Sequence, residues 1–511
     1  MGVVDFIHSL ARFLPEVRAP EKPLATKDRL MWTGFILVLY FLMYNTTALG
    51  VQHVSTSIDF LQTITASRIG SLLTTGIGPI VLASIFLQLF VGAGVINLNM
   101  KDKKDKAKFL ETQKVLAIGL AFAEAIIFVV ITGLVPITPM FGGFGEGIDA
   151  ATGAINAPYT MALVVLQITL GSVFVLFLDE LVTKYGIGSG ISLFIAAGVS
   201  LSVVLGLFDI IFVGSLHPPG VISVMAEGGA ESLPQAILAL LPFGFTILVF
   251  LAVVYAESVK VQIPIAFERV RGMVPHLPLK FFYVSNIPVI FASALIINMQ
   301  LFSGGLLLGQ YWASDTQPTA LTQSLQDTGH YSLERDGIVP LLGYVNQQKH
   351  LQDGLLYLFT PISSYGRSTT QHWAFLNSST PYLGIPEWIH AIVYVLMLAA
   401  VSVVFGLFWV ETANMDAKSV AGQLSESGRQ IPGFRRDPRM LETILNKNIF
   451  PLTVMGSAAV GLLAGIADMT GALGTGTGIL LTVGILHRMY EQLEQQKAFE
   501  MYPTFSKLFG E

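Results

Sequence analysis

Long apolar runs alternate with short polar stretches along the chain. A helix needs about 20 mostly apolar residues to cross a hydrocarbon core of roughly 30 Å. Ten runs meet or approach that length, at residues 30–49, 77–96, 115–135, 160–178, 187–208, 236–255, 283–302, 388–410, 450–467 and 476–489. The last two are the shortest. Composition agrees with the pattern: hydrophobic residues make up 53% of the 511 and charged ones 12%, about half the charge of an ordinary soluble domain. The expectation is an all-α polytopic membrane protein, which excludes a soluble enzyme, a disordered chain and a disulfide scaffold. Cys is absent, so thiolate metal sites and iron–sulfur clusters are excluded as well. The first run starts some thirty residues in and lacks a small-residue cleavage pattern, so it is expected to remain in the mature protein.

Lys and Arg are retained on the cytoplasmic side of short loops. One set of alternate segments carries 5 basic residues before Leu30, 6 over 101–114, Lys184, 4 over 260–280, 6 over 418–447 and 3 from Arg488 onward. The opposite loops 136–159, 209–235 and 468–475 carry none. Both termini are therefore expected in the cytoplasm. Five spans precede 209 and five follow 235, and an odd number per half gives the halves opposite topology. This divides the chain into a cytoplasmic segment 1–29, a first half 30–208, an external connection 209–235, a second half 236–490 and a tail 491–511. The second half contains a long outer loop, 303–387, and basic loops at 257–280 and 411–448.

The second span of each half carries a helix breaker, Gly76-Ile77-Gly78-Pro79 and Asn286-Ile287-Pro288. Spacing alone leaves two readings. Matched interruptions point to a working site between inverted repeats, whereas prolines in a first helical turn cost little. Mid-membrane ionisable residues are few, Glu124 being the clear candidate; Asp179, Glu180, Glu257, Glu411 and Asp468 fall at span ends and read as interfacial. Residues 57–75 mix helically spaced apolar positions with Asp59, Gln62, Ser67 and Arg68. Such a segment suits a short amphipathic helix in a wet funnel or at an interface.

Several strings are more specific. Thr63-Ile64-Thr65-Ala66-Ser67-Arg68-Ile69-Gly70, running into Gly76-Ile77-Gly78-Pro79-Ile80-Val81, resembles the second-helix region of SecY-type protein-conducting channels. So do Tyr185-Gly186-Ile187-Gly188-Ser189-Gly190-Ile191-Ser192, Tyr283-Val284-Ser285-Asn286-Ile287-Pro288-Val289-Ile290, Ile431-Pro432-Gly433-Phe434-Arg435-Arg436-Asp437 and Gly474-Thr475-Gly476-Thr477-Gly478. The matches follow the family's order and resemble its archaeal and eukaryotic branch. The resemblance implies two inverted five-helix halves around an hourglass pore, with a lateral exit between the second and third helices and the seventh and eighth. It implies a pore ring of Ile77, Val81, Ile191, Ile195, Ile290 and Leu481, where the glycine-rich match also permits Leu480. The implied plug spans 58 to about 72 and includes Ile58, Phe60, Leu61, Ile64 and Arg68. A lateral gate of Glu124 and Asn298 is implied, with Gln88 and Ser84 compensating for Leu82, which stands where the family pattern has a hydroxyl.

The same resemblance implies ribosome docking by Lys260, Arg269, Arg271, Arg435 and Arg436, whose contacts with a polyanion weaken as salt rises. Implied partners are SecE-type and Secβ-type subunits, the translating ribosome, the signal recognition particle receptor system, signal sequences, nascent chains and membrane lipid. The implied location is the plasma membrane. Ile77/Val81 and Ile191/Ile195 are each four apart and share a helix face, and β-branched side chains make a stiff seal. Apolar constrictions gate by excluding water. No cofactor, metal or catalytic residue is expected, and Gly474 to Gly478 is no nucleotide loop because no strand precedes it. The rival reading is an inverted-repeat secondary solute transporter, which needs a charged or multi-amide site at the midplane.

Overall fold

The computed structural model describes residues 15–21, 24–52, 59–92, 94–96, 98, 102–131, 135–141, 147–148, 155–208, 240–264, 266–267, 276–284, 286–302, 344–345, 351–361, 379–380, 384–426, 429–430 and 438–501. Among them the first half contains α1 (Thr26–Asn45), a six-residue α2 (Asp59–Ile64), α3 (Gly78–Gly92), α4 (Lys103–Ile126), α5 (Pro158–Tyr185) and α6 (Gly190–Phe208). The second half contains α7 (Leu241–Ser258), α8 (Ile287–Phe302), α9 (Glu387–Thr412), a short α10 (Ala417–Glu426), α11 (Pro438–Met469) and α12 (Gly476–Met501). Each of the ten expected spans has its helix. By length and apolar character alone six helices among the described residues can cross a membrane, while Gly78–Gly92 and Ile287–Gln300 are apolar but short.

The two runs that read as shortest belong to long helices. The 32 residues of α11 and 26 of α12 extend about 48 and 39 Å at 1.5 Å per residue. Their membrane segments are apolar, and the rest continues in polar helix formers such as Glu, Gln and Lys, so hydropathy marks the crossing and misses the extension. Pro79 and Pro288 are each the second residue of their helix. There a missing N–H costs nothing, because the first-turn donors have no partner within the helix. The prolines therefore start α3 and α8 rather than interrupting them.

Strands are minor. β3 (Lys260–Pro264) and β5 (His276–Lys280) form an antiparallel hairpin from Lys260 opposite Lys280 to Pro264 opposite His276. β4 (Ala266–Phe267) pairs with β8 (Arg429–Gln430) and joins the two basic loops. The remaining pairs are β1 (Gly147–Ile148) with β2 (Ile155–Asn156), and β6 (Tyr344–Val345) with β7 (Leu351–Asp353).

Within each half an aspartate in the last two turns of the fourth spanning helix caps the fifth. Asp179 Oδ1 accepts from Ile191 N at 2.8 Å, and Asp468 Oδ1 accepts from Thr477 N at 2.7 Å. In both cases a glycine opens the capped helix, so close that a Cβ on Gly190 or Gly476 would fall within 2.5 Å of the aspartate's helix backbone. Anionic side chains at a helix start satisfy orphan donors and complement the macrodipole. The repetition of this device is a structural trace of the duplicated halves.

The halves meet along two seams: α6 and α1 against α12 on one side, and α3 against α8 and α9 on the other. Between them one continuous apolar core runs through most of the helices.

Candidate functional site

The centre of the molecule is built by a tight re-entrant turn. After α2 the chain passes Ala66 at φ +48° and Gly76 at φ +54°. Gly76 is demanded by space as well as conformation, since a Cβ there would stand 2.1 Å from the Thr65 carbonyl oxygen. That carbonyl accepts from Ile77 N at 2.8 Å. The turn thus fastens the end of α2 to the start of α3. Ile77 itself is the residue before α3, and Val81 N bonds back to its carbonyl at 3.1 Å, so the two share a face as their spacing predicts.

The six ring candidates come from four helices: the α3 start, α6, α8 and α12. Ile77, Val81, Ile195, Ile290 and Leu481 are buried within the common core, and half-buried Ile191 packs against it. Leu480 is buried equally, so burial does not separate it from Leu481. Asn286, one turn before Ile290, donates from Nδ2 to the Leu480 carbonyl at 3.1 Å. That bond ties α8 to α12 beside two ring residues.

Of the plug candidates, Ile58 lies outside the described residues, and so does the side chain of Phe60. Leu61 and Ile64 are buried. The helix that carries them lies against α6 and α8, and Thr63 approaches Gly478 of α12, where a Cβ would be 2.7 Å from its methyl. Arg68 is exposed instead of filling the interior. Its guanidinium donates to Asn45 Oδ1 at 2.8 Å and stands 6.0 Å from the Tyr44 ring centre.

The gate candidates Glu124, Gln88 and Asn298 are all buried, and among the described residues no hydrogen bond joins one to another. Asn298 Nδ2 donates to Ala294 O of its own helix at 2.9 Å. Gln88 Nε2 donates to Ser84 Oγ at 2.9 Å, leaving Gln88 Oε1 buried and unpartnered. Glu124 Oε1 is likewise unpartnered, while its Oε2 lies 3.2 Å from where a Gly78 Cβ would be. The carboxyl therefore faces the N-terminus of α3, whose dipole favours negative charge. Directly after it, α4 loosens into a π-helical turn, Ile127–Ile131. Gly92, eight residues after Ser84 on the same face, packs on Phe408 of α9. This face of α3 is the one turned to the second half.

Of the docking candidates, Lys260 is exposed at the start of β3. Arg269, Arg271, Arg435 and Arg436 lie outside the described residues.

Three polar arrangements escaped the sequence reading. Asp468 and Glu257 read as interfacial but are 1% and 4% exposed. Asp468 accepts from Tyr394 Oη at 2.9 Å and from Thr477 Oγ1 at 2.6 Å in addition to the cap bond. At the start of α9, buried His390 links Glu387 Oε2 at 3.0 Å with the Thr360 carbonyl at 2.8 Å, and Tyr357 Oη donates to Glu387 Oε1 at 2.9 Å. Tyr40 is fully buried and donates to the Ala66 carbonyl at 2.8 Å. Apart from Glu387 and His390, which are three apart on one helix, the partners are distant in sequence or off the helical repeat, so no spacing rule signals the pair.

Against known proteins, the SecY family model matches residues 71–490. The protein translocase subunit SecY of Methanocaldococcus jannaschii is 42% identical over 499 residues, covering 97% of this chain and 98% of that protein. A SecY structure solved to show how the plug domain stabilises the closed translocation channel and maintains a membrane seal superposes with a TM-score of 0.71 at 38% identity, covering 98% of this chain and 99% of that one. Sec61 in the canine ribosome–channel complex from the endoplasmic reticulum gives a TM-score of 0.70 at 40% identity, again covering 98% and 99%.

Proposed function

The chain belongs to the SecY family, and we propose that a collar of Ile77, Val81, Ile191, Ile195, Ile290 and Leu481 closes its pore. The protein is the multi-pass, non-enzymatic pore subunit of a protein translocase, conducting unfolded polypeptides and releasing apolar segments sideways into lipid. Ten membrane helices in two inverted halves, with a plug half-helix, make up its fold. The solute-transporter reading is set aside with that membership.

The assignment of parts rests chiefly on one observation. The short helix α2 sits against α6 and α8 and over Gly478 of α12, three of the four elements that supply the collar. An apolar ring beneath a half-helix that buries Leu61 and Ile64 excludes water and ions, and it offers a moving chain no fixed hydrogen-bond partner to displace. On this reading residues 58–72 are the plug, with Leu61 and Ile64 facing inward. The seam of α3 against α8 and α9 is the lateral gate, with Glu124, Gln88 and Asn298 as its polar members. Polar groups at a helix seam let an apolar signal helix compete for the contact.

The basic loops, with Lys260, Arg269, Arg271, Arg435 and Arg436, are assigned to ribosome docking, supported by the ribosome-bound relative and by the β4–β8 pairing that holds the two loops together. SecE-type and Secβ-type subunits and the signal recognition particle receptor system complete the set of partners. Loop charge supports both termini in the cytoplasm of a plasma-membrane protein, with the division into halves at 209–235 and a long outer loop at 303–387.

The test is site-specific photocrosslinking of a stalled translocating chain. Probes at 77, 191 and 290 should label the chain strongly, and a probe at Leu166, 54% exposed on the outer side of α5, should not. Labelling at 166 with none at the three collar positions would reject the pore assignment.

A further inference from the structure

The last turns of α1 have no part in the assignments above, yet they grip the segment between α2 and α3. Tyr40 is fully buried, and its hydroxyl donates to the carbonyl of Ala66 at 2.8 Å. Ala66 holds a left-handed backbone conformation at φ +48°, uncommon for a residue with a Cβ, so helical continuation cannot satisfy its carbonyl. The Tyr40 ring is itself fixed, stacked on Phe194 of α6 with centroids 4.8 Å apart and planes 16° apart. Gly198, one turn on from Phe194, lies beside the pair: a Cβ there would meet Tyr40 Oη at 3.6 Å and Ala66 Cα at 3.8 Å, ordinary contact distances. On the same side of α1, Asn45 accepts from Arg68, and Tyr44 lies near that guanidinium. Tyr40, Tyr44 and Asn45 thus hold residues 66–68 at two points.

We propose that α1 is the latch of the plug, and that Tyr40 is the positioning residue whose hydroxyl sets how firmly the plug stays in its resting place. The inference rests on reading α2 as the plug. A plug that leaves the funnel must carry residue 66 away from a donor buried between α1 and α6. The bond is therefore made in the resting arrangement and broken in the displaced one. A buried hydroxyl left without its acceptor carries a desolvation cost, so the bond biases the equilibrium toward closure. The Asn45–Arg68 contact is exposed and contributes less.

The experiment measures resting ion conductance of the purified channel complex in planar bilayers. It compares wild type, Tyr40→Phe, Asn45→Ala, a deletion of residues 59–66, and Tyr40→Phe combined with that deletion. Tyr40→Phe keeps the ring on Phe194 and removes only the donor. It should raise resting conductance roughly threefold to tenfold, the range for one buried hydrogen bond, with no more than a small fall in the thermal midpoint of the complex. Asn45→Ala should give a smaller rise, and being exposed it leaves a second reading if Tyr40→Phe does not assemble. In the deletion background Tyr40→Phe should add nothing, a non-additivity that a merely structural role would not produce. If the deletion raises conductance while both latch variants behave as wild type, the latch is overturned and the plug stands. If the deletion itself changes nothing, the plug reading fails first.

Discussion

The two seams between the halves are built on opposite plans. Where α6 meets α12 the helices nearly touch. Gly474 at φ +73° lies on Val199 and Val203, Gly206 lies against Leu473, and Gly478 has Val199 and Thr63 within 3.1 Å of a virtual Cβ. Small residues let membrane helices approach closely and pack by dispersion. Where α3 meets α9 one glycine contact is also present, Gly92 under the Phe408 ring, but there the partner is a large aromatic side chain rather than a Val or Thr methyl. The helices of that seam also carry buried polar atoms without partners, Gln88 Oε1 on α3 and Ser293 Oγ on α8. A clamshell needs one edge that holds and one that opens, and on the proposed reading the glycine-lined seam is the hinge and the seam of α3 is the one that opens.

The sharpest way to break the comparison is to thicken the hinge. Gly474→Val and Gly478→Val each insert a branched side chain where a Cβ already meets atoms at about 3 Å, and Gly474→Val adds strain at positive φ. Each should cost about 1–3 kcal/mol, read as a lower unfolding midpoint of the detergent-solubilised complex. An unchanged midpoint would show that this seam is not close-packed. Next comes the opening seam. Ser293→Ala removes a hydroxyl that lacks a partner, and Gln88→Leu removes the unpartnered Oε1 together with the Nε2 bond to Ser84, so Ser293→Ala should leave stability equal or raise it by about 1 kcal/mol and Gln88→Leu should change it little. Signal-sequence crosslinking to α3 and α8 should then need a more hydrophobic signal. Loss of stability instead would show that these groups are satisfied.

The smallest effect is expected outside both seams. Burial pushes the pKa of Glu491 up, but the Lys280 bond at 2.5 Å and nearby cations outweigh it and hold the carboxyl below the usual carboxylate range. A group so lowered adds stability above its unfolded pKa of about 4.3 and loses it as pH falls through the folded value. Below pH 4.3 the midpoint of wild type should therefore converge on that of Glu491→Gln, with at most about 1 kcal/mol between them at neutral pH. A constant gap down to pH 3 would remove the pair from the account.

How much of this was legible in the sequence follows from the range of each interaction. The ten spans are local averages over twenty residues, and all ten appear as helices. The ends of α11 and α12 are not, because polar residues can stay helical in water. Pro79 and Pro288 allowed two readings, since a breaker and a starter share one residue type and only the helix boundary distinguishes them. The collar residues stood out through motif resemblance, as four-spaced Ile and Val occur in any membrane helix. Tyr40 with Ala66, Asp468 with Tyr394, and His390 with Thr360 join residues 26, 74 and 30 positions apart. Their partners exist only once the helices have packed.

The central claim, that aliphatic side chains at the middle of the molecule form the seal, is tested most directly by conductance. Ile77→Gly, Ile191→Gly and Ile290→Gly combined in one chain and reconstituted as the full complex in planar bilayers should pass ions at rest well above the wild-type level. A resting conductance equal to wild type, with the complex intact, would contradict it.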